Sequence, residues 1–217
     1  MRPSARICLL ILTACVCSAW VAGCSISDQA GSTPPAGAKS ANVPVAKSAN
    51  VSVAKSATVS DPTGDVRDGN KQKPTQKLPG ADLTAASIEA VGPDFKITFT
   101  SDSDFQSTIQ PAVSAVWMVS ACNQDGSGCC LIGARVAGGE WVAYVFDETT
   151  SRNTYIGKPA INATQLTFTV KQGELPPSLR VPFNWSAESD WDGKWADRAP
   201  DAGDDFLHAP TVPFPQS

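Results

Sequence analysis

AVSAVWMVSACNQDGSGCCLIGARVAGGEWVAYVFD, residues 112–147, is the stretch whose reading decides the fold. Val113, Ala115, Trp117, Val119 and Ala121 alternate onto one side of an extended segment, the period of two that a strand supplies. The residues between them are themselves half apolar, as befits a strand in the middle of a sheet. Two more apolar runs follow, CCLIGARVA and EWVAYVFD, and they meet at Gly138-Gly139. Glycine tolerates positive φ, so this pair reads as a tight hairpin.

Outward from this stretch the texture repeats. DFKITFT sets Phe95, Ile97 and Phe99 against Lys96, Thr98 and Thr100, and QLTFTVKQ does the same with Leu166, Phe168 and Val170. LTAASIEAV and RVPFNWSA are further strand segments. GELPPSL is a turn, because two adjacent prolines deny donors to a ladder. Helical periodicity is scarce. Short strands at this spacing, broken by glycine-rich turns, predict an all-β fold, an antiparallel β-sandwich over residues 61–208. Residues 209–217 read as a disordered tail.

The beginning of the chain has another character. MRPSARICLLILTACVCSAWVAGC opens with Arg2 and Arg6, then runs apolar from Ile7 to Val21. That run has about the length of a signal-peptide core and falls short of the roughly 20 residues that span a bilayer. Val21, Ala22, Gly23 and Cys24 resemble the lipobox of bacterial lipoproteins. The resemblance implies diacylglyceryl transfer to the Cys24 sulfur and removal of residues 1–23, leaving an extracytoplasmic protein anchored to the cell membrane by lipid. Two or three acyl chains on one cysteine hold it there, since each buried CH₂ contributes about 0.8 kcal/mol.

Residues 24–60 then carry three near-copies of one octad: AKSANVPV, AKSANVSV and AKSATVSD. With valine as the only sizeable apolar side chain, the unit buries too little to offset chain ordering. The segment reads as a flexible tether, averaging roughly 35 Å end to end as a coil. It has a net charge of +2, whereas residues 61–217, with twelve basic and twenty acidic residues, have −8. An acidic domain lacks the basic footprint that nucleic acid requires.

No nucleophile elbow, phosphate loop, zinc-protease helix or dinucleotide fingerprint is present. His208 is the only histidine and sits in the proline-broken FLHAPTVPFPQS, without a scaffold for a catalytic triad. The sequence therefore reads as a non-enzyme with no catalytic residues. The alternative to a binding domain is a structural or accessory domain of an envelope assembly without a small-molecule ligand; a carboxylate-based hydrolase is the least favoured, since acidic pairs abound and only their geometry tells a catalytic pair from a solvated one.

Three cysteines remain in the domain: Cys122, Cys129 and Cys130. Outside the cytoplasm an oxidised pair is the default. Neighbours in a strand face opposite ways, so only one of the adjacent two faces Cys122. A Cys122–Cys130 disulfide leaves room for a relaxed turn and is favoured over Cys122–Cys129. The third thiol reads as a buried free cysteine, with intermolecular pairing or redox work as the other readings.

The motifs DPTGDV, PGADLTAASIEAV and DRAPDAG resemble the opening and closing of bacterial β-sandwiches similar to family 9 carbohydrate-binding modules and DOMON domains. The resemblance covers about residues 61–205. It implies ligand binding rather than catalysis, of sugars, heme or other partners, and sometimes a structural calcium. Trp191 and Trp195, in SDWDGKWADRAPD, are the candidate platform for a glycan or a protein partner, or else they fold back to cap the sandwich. Calcium takes six to eight oxygens at about 2.3–2.6 Å. Asp61 and Asp65 at the domain's start, with Asp197, Asp201, Asp204 and Asp205 at its end, are the candidate ligands. Proline and glycine bend both acidic segments. The competing reading is a pair of solvated loops partly screened by Arg198.

Overall fold

The computed structural model describes residues 56–108, 114–201 and 210–215. The stretch read as a signal segment, Cys24, the first two octads, Val113, Asp204, Asp205 and His208 lie outside the described residues. The strands are β1 (Ser56–Ser60), β2 (Arg67–Asp68), β3 (Leu83–Val91), β4 (Asp94–Ser101), β5 (Ala115–Asn123), β6 (Cys130–Ala137) and β7 (Glu140–Asp147). They continue as β8 (Arg152–Gly157), β9 (Ala160–Asn162), β10 (Gln165–Val170), β11 (Phe183–Trp191), β12 (Trp195–Ala199) and β13 (Val212–Phe214). Short 3-10 turns cover Phe105–Thr108 and Gln172–Glu174.

The strands form two antiparallel sheets packed as a sandwich. The smaller has the order β1-β3-β4-β10-β9, and the larger runs β2-β12-β11-β5-β6-β7-β8, with β13 also on β11. The alternation read in the sequence becomes the core. Ile97, Phe99 and Leu166 point inward from the smaller sheet, and Trp117, Val119 and Trp185 from the larger. Trp117 is the centrepiece. It packs edge-on against Phe105 at 5.2 Å and lies tilted against Trp141 at 5.0 Å, and its Nε1 donates to the Gly80 carbonyl at 2.6 Å. Gly138 and Gly139 do turn the β6–β7 hairpin, at φ of 62° and 81°.

Three expectations are corrected. The tether does not run to residue 60: its last five residues form β1, because Ala57 and Val59 alternate into the core at 1% and 4% exposure. The tail from 209 is not wholly disordered either. In β13, Phe214 is buried and stacks on Phe183 at 5.1 Å, which holds a proline-flanked segment on the sheet. The disulfide is Cys122–Cys129, not Cys122–Cys130. Ala121 stands opposite Cys130 across the β5–β6 ladder. Residues directly opposite share a face, so Cys130 points into the core with Ala121, and Cys122, on the other face, meets Cys129. Cys130 is a free, fully buried thiol, pushed up to about 12 by burial and by the charges of Asp147 and Glu148.

Candidate functional site

The two acidic stretches converge. Asp61 follows β1 directly, and its N–H donates to the Thr84 carbonyl at 3.0 Å, which continues the β1–β3 ladder into the loop. Asp65 lies in the same loop ahead of β2. Asp197 comes from the other sheet, from the middle of β12. One carboxylate oxygen from each of the three lies within 4.8 Å of the other two. The site therefore joins the edge of one sheet to the edge region of the other.

A fourth carboxylate, Asp82, stands at the entrance of β3, 8% exposed. Its Oδ2 accepts the Gly64 N–H at 2.7 Å, and this bond folds the Asp61–Asp65 loop over it. Asp197, 4% exposed, accepts the Leu83 N–H on Oδ2 at 2.6 Å and the Arg198 N–H on Oδ1 at 2.9 Å. These backbone bonds fix two of the four carboxylates. Both oxygens of Asp61, Oδ1 of Asp65 and Oδ1 of Asp82 are enclosed and have no hydrogen-bond partner. Four orphaned carboxylate oxygens in one place are costly, since a buried acceptor left unpaired loses its hydration with nothing in return.

The electrostatics register that cost. Burial, then the charges of Asp197, Asp65, Asp201 and Asp82, push Asp61 from 3.8 up to about 9. Asp197 is pushed up to about 7, by burial first and then by Asp65, against the Leu83 N–H. Burial also raises Asp65 and Asp82, the latter opposed by the Gly64 N–H. Asp201 adds negative potential at both Asp61 and Asp65. Arg67 and Lys73 offset part of the rise at Asp65, and Lys77 offsets part of it at Asp82. An all-oxygen set with excess negative charge suits a hard divalent cation, and the spread of the oxygens fits bonds of about 2.3–2.6 Å. A cavity of about 330 Å³ lined by Gly64, Val66, Lys73, Lys77, Asp82 and Asp102 lies on the Gly64–Asp82 side of the loop.

Of the residues singled out in the sequence, Asp61, Asp65 and Asp197 are brought together and Asp201 lies within electrostatic range. Asp82 was not read from sequence: a single aspartate before a strand carries no acidic pattern. Trp191 is 6% exposed and belongs to the core, as a folded-back cap. Trp195 is half-buried, with the Lys194 ammonium 4.6 Å from its ring centroid.

The outer face of the larger sheet is a second feature. Arg198, Glu188, Met118, Gly133, Tyr144 and Tyr155 stand in one cross-strand row over β12, β11, β5, β6, β7 and β8. Leu131 and Phe146 pair in the next row and are half-buried. Tyr155 rises from the edge, 59% exposed. Arg135 lies over its ring at 5.6 Å and donates from Nη2 to its hydroxyl at 3.1 Å. Sequence reading passed over this pair because RNTYIG looks like a polar loop. Among the described residues, no helix is long and apolar enough to cross a membrane. The chain matches no known family, no curated protein and no solved structure.

Proposed function

We propose that this protein is a lipid-anchored, extracytoplasmic binding head: a non-enzymatic sandwich, locked by calcium, that docks a protein partner of the cell envelope on the outer face of its larger sheet. The observation that carries the docking role is the row ending in Tyr155 and its Arg135 support. Tyrosine and arginine dominate the energetic centres of protein interfaces, and half-buried apolar neighbours such as Phe146 and Leu131 supply the desolvated surround. Of the two partner classes read from sequence, a protein has the better support. A glycan would need an open aromatic platform, and Trp191 is inside while Trp195 is shared with Lys194. The lipobox-like VAGC and the octads supply anchor and spacer.

Calcium in this reading is structural. Asp61, Asp65 and Asp197 ligate it, Asp82 stands by with its orphaned Oδ1, and the ion holds β1 to β12 across the sandwich. The carboxylates that a hydrolase would use are thereby absorbed into a cation site.

Capture from intact envelope, with the full chain and with Tyr155→Ala, tests the docking role. At 59% exposure the substitution leaves melting temperature unchanged, and capture of the partner falls at least about tenfold, the effect of losing one interface anchor. Equal capture by both proteins overturns the assignment of this face. Loss of binding in Trp195→Ala alone moves the site to the glycan reading.

A further inference from the structure

Strand β7 of the larger sheet and β9, the terminal strand of the smaller, both border a cavity of about 320 Å³. Trp141 from β7, Ile161 from β9 and Pro159 from the link between β8 and β9 form its apolar wall, and Gln106, Glu140 and Lys158 its polar lining. Those last three side chains are exposed, whereas Trp141 is 7% exposed. None of these residues belongs to the carboxylate cluster or to the row that ends in Tyr155.

Trp141 carries an unmet hydrogen bond. Its ring lies tilted on Trp117 within the core. The Trp117 Nε1 donates to the Gly80 carbonyl, but the Trp141 Nε1 is enclosed and has no acceptor. An indole N–H only donates, and a buried tryptophan ordinarily finds it a partner. Left alone, the donor has lost its hydration with nothing in return. Trp185 lacks an acceptor too, but at 0% exposure it lies deep in the core. Trp141 borders open space, and an acceptor reaches it from there once the exposed side chains of the lining give way. Lys158 supplies a charge beside it and makes no ion pair among the described residues.

We infer that this cavity is a binding site for a small organic monocarboxylate with an apolar body. The carboxylate accepts from the Trp141 Nε1 and draws in the Lys158 ammonium, a charge-assisted bond. The body of the ligand packs on Trp141, Pro159 and Ile161. Apolar walls with a few polar groups that fix orientation are the usual make-up of small-molecule sites. Glu140 shares the lining, so a second negative charge on the ligand would meet repulsion. An ammonium ligand leaves the indole unsatisfied, because it has no acceptor to offer. A neutral alcohol accepts from Nε1 but gains nothing from the charge of Lys158.

Benzoate, benzyl alcohol and benzylammonium share one ring and differ in the head group, so they probe the site in the full chain. The readout is the Trp141 indole N–H resonance in NMR, assigned from its through-space contacts with Trp117. Benzoate is expected to shift it saturably and to bind about tenfold more tightly than benzyl alcohol, the margin of a charge-assisted over a neutral hydrogen bond. Benzylammonium is expected to leave it in place. In Lys158→Ala, a change at an exposed position, the preference for benzoate disappears while the melting temperature holds. Trp141→Phe keeps an aromatic wall, removes the N–H and weakens benzoate about tenfold; the Lys158→Ala arm leaves the core intact and decides the matter even where Trp141→Phe folds poorly. A Trp141 resonance that benzoate leaves unmoved at its highest soluble concentration overturns the site. A preference for benzoate that persists in Lys158→Ala, or a shift by benzylammonium as large as that by benzoate, overturns the assignment of a carboxylate.

Discussion

Withdrawing calcium from the carboxylate cluster should make the domain's stability fall as pH rises, the reverse of ordinary acid denaturation. Asp197 and Asp61 have folded-state values above their unfolded value of 3.8, so the native state holds protons that the unfolded chain releases. Stability from these groups is fully present below about 3.8 and is lost as pH climbs through about 7 for Asp197 and about 9 for Asp61. For the well-buried Asp197, the rise from 3.8 to about 7 corresponds to on the order of 4 kcal/mol, at about 1.4 kcal/mol per pH unit. In the proposed site calcium takes the place of the protons. At one hundred times its dissociation constant it contributes about 2.7 kcal/mol. With a shift of about 2–4 °C per kcal/mol in a chain of this size, the melting temperature at pH 8 should rise by about 5–11 °C. The assay is thermal unfolding of chelator-treated protein, with and without calcium, from pH 5.5 to 8. The expected pattern is a chelated protein that weakens toward pH 8 and a calcium effect that grows in the same direction. Chelated protein that gains stability across that range, or no calcium effect at pH 8, refutes the reasoning.

Replacing both Cys122 and Cys129 by serine should lower stability by about 2 kcal/mol, the loop-entropy value for so short a ring; denaturant titration checks it, and Cys130 should stay unreactive to thiol reagents in the native state. Gly133→Ala should destabilise by about 1–3 kcal/mol through overpacking, because a Cβ there would sit 2.5 Å from the Trp117 carbonyl oxygen. Thermal unfolding of that variant at the wild-type temperature or above would contradict the close approach of β5 and β6.

The strands that carry bulky residues at a period of two were legible, and the ones held by context were not. Phe95, Ile97 and Phe99 announce β4 without help, and Trp117 with its alternating neighbours announces β5. β1 has only alanine and valine to bury, and its place depends on an edge that β3 supplies. β12 reads as a charged loop, yet Asp197 is inside it because its carboxylate takes the Leu83 N–H from the opposite sheet. That bond spans 114 residues, and no local pattern encodes it. The acidic site was half legible for the same reason. DPTGD and DRAPD stand out as bent acidic pairs, whereas Asp82 enters through its bond to Gly64, a tertiary contact. The cysteine pairing turned on register: strand alternation correctly separates Cys129 from Cys130, but which of them faces Cys122 is set by the Ala121–Cys130 pairing.

Calcium binding measured by titration calorimetry at pH 7, on the full chain and on Asp61→Asn and Asp197→Asn, tests the central claim most directly. The account predicts one ion per chain, protons released as it binds because protonated carboxylates must give way, and binding weakened at least about tenfold, or 1.4 kcal/mol, in both variants. No binding to the wild-type chain, or binding that both variants leave unchanged, would contradict it.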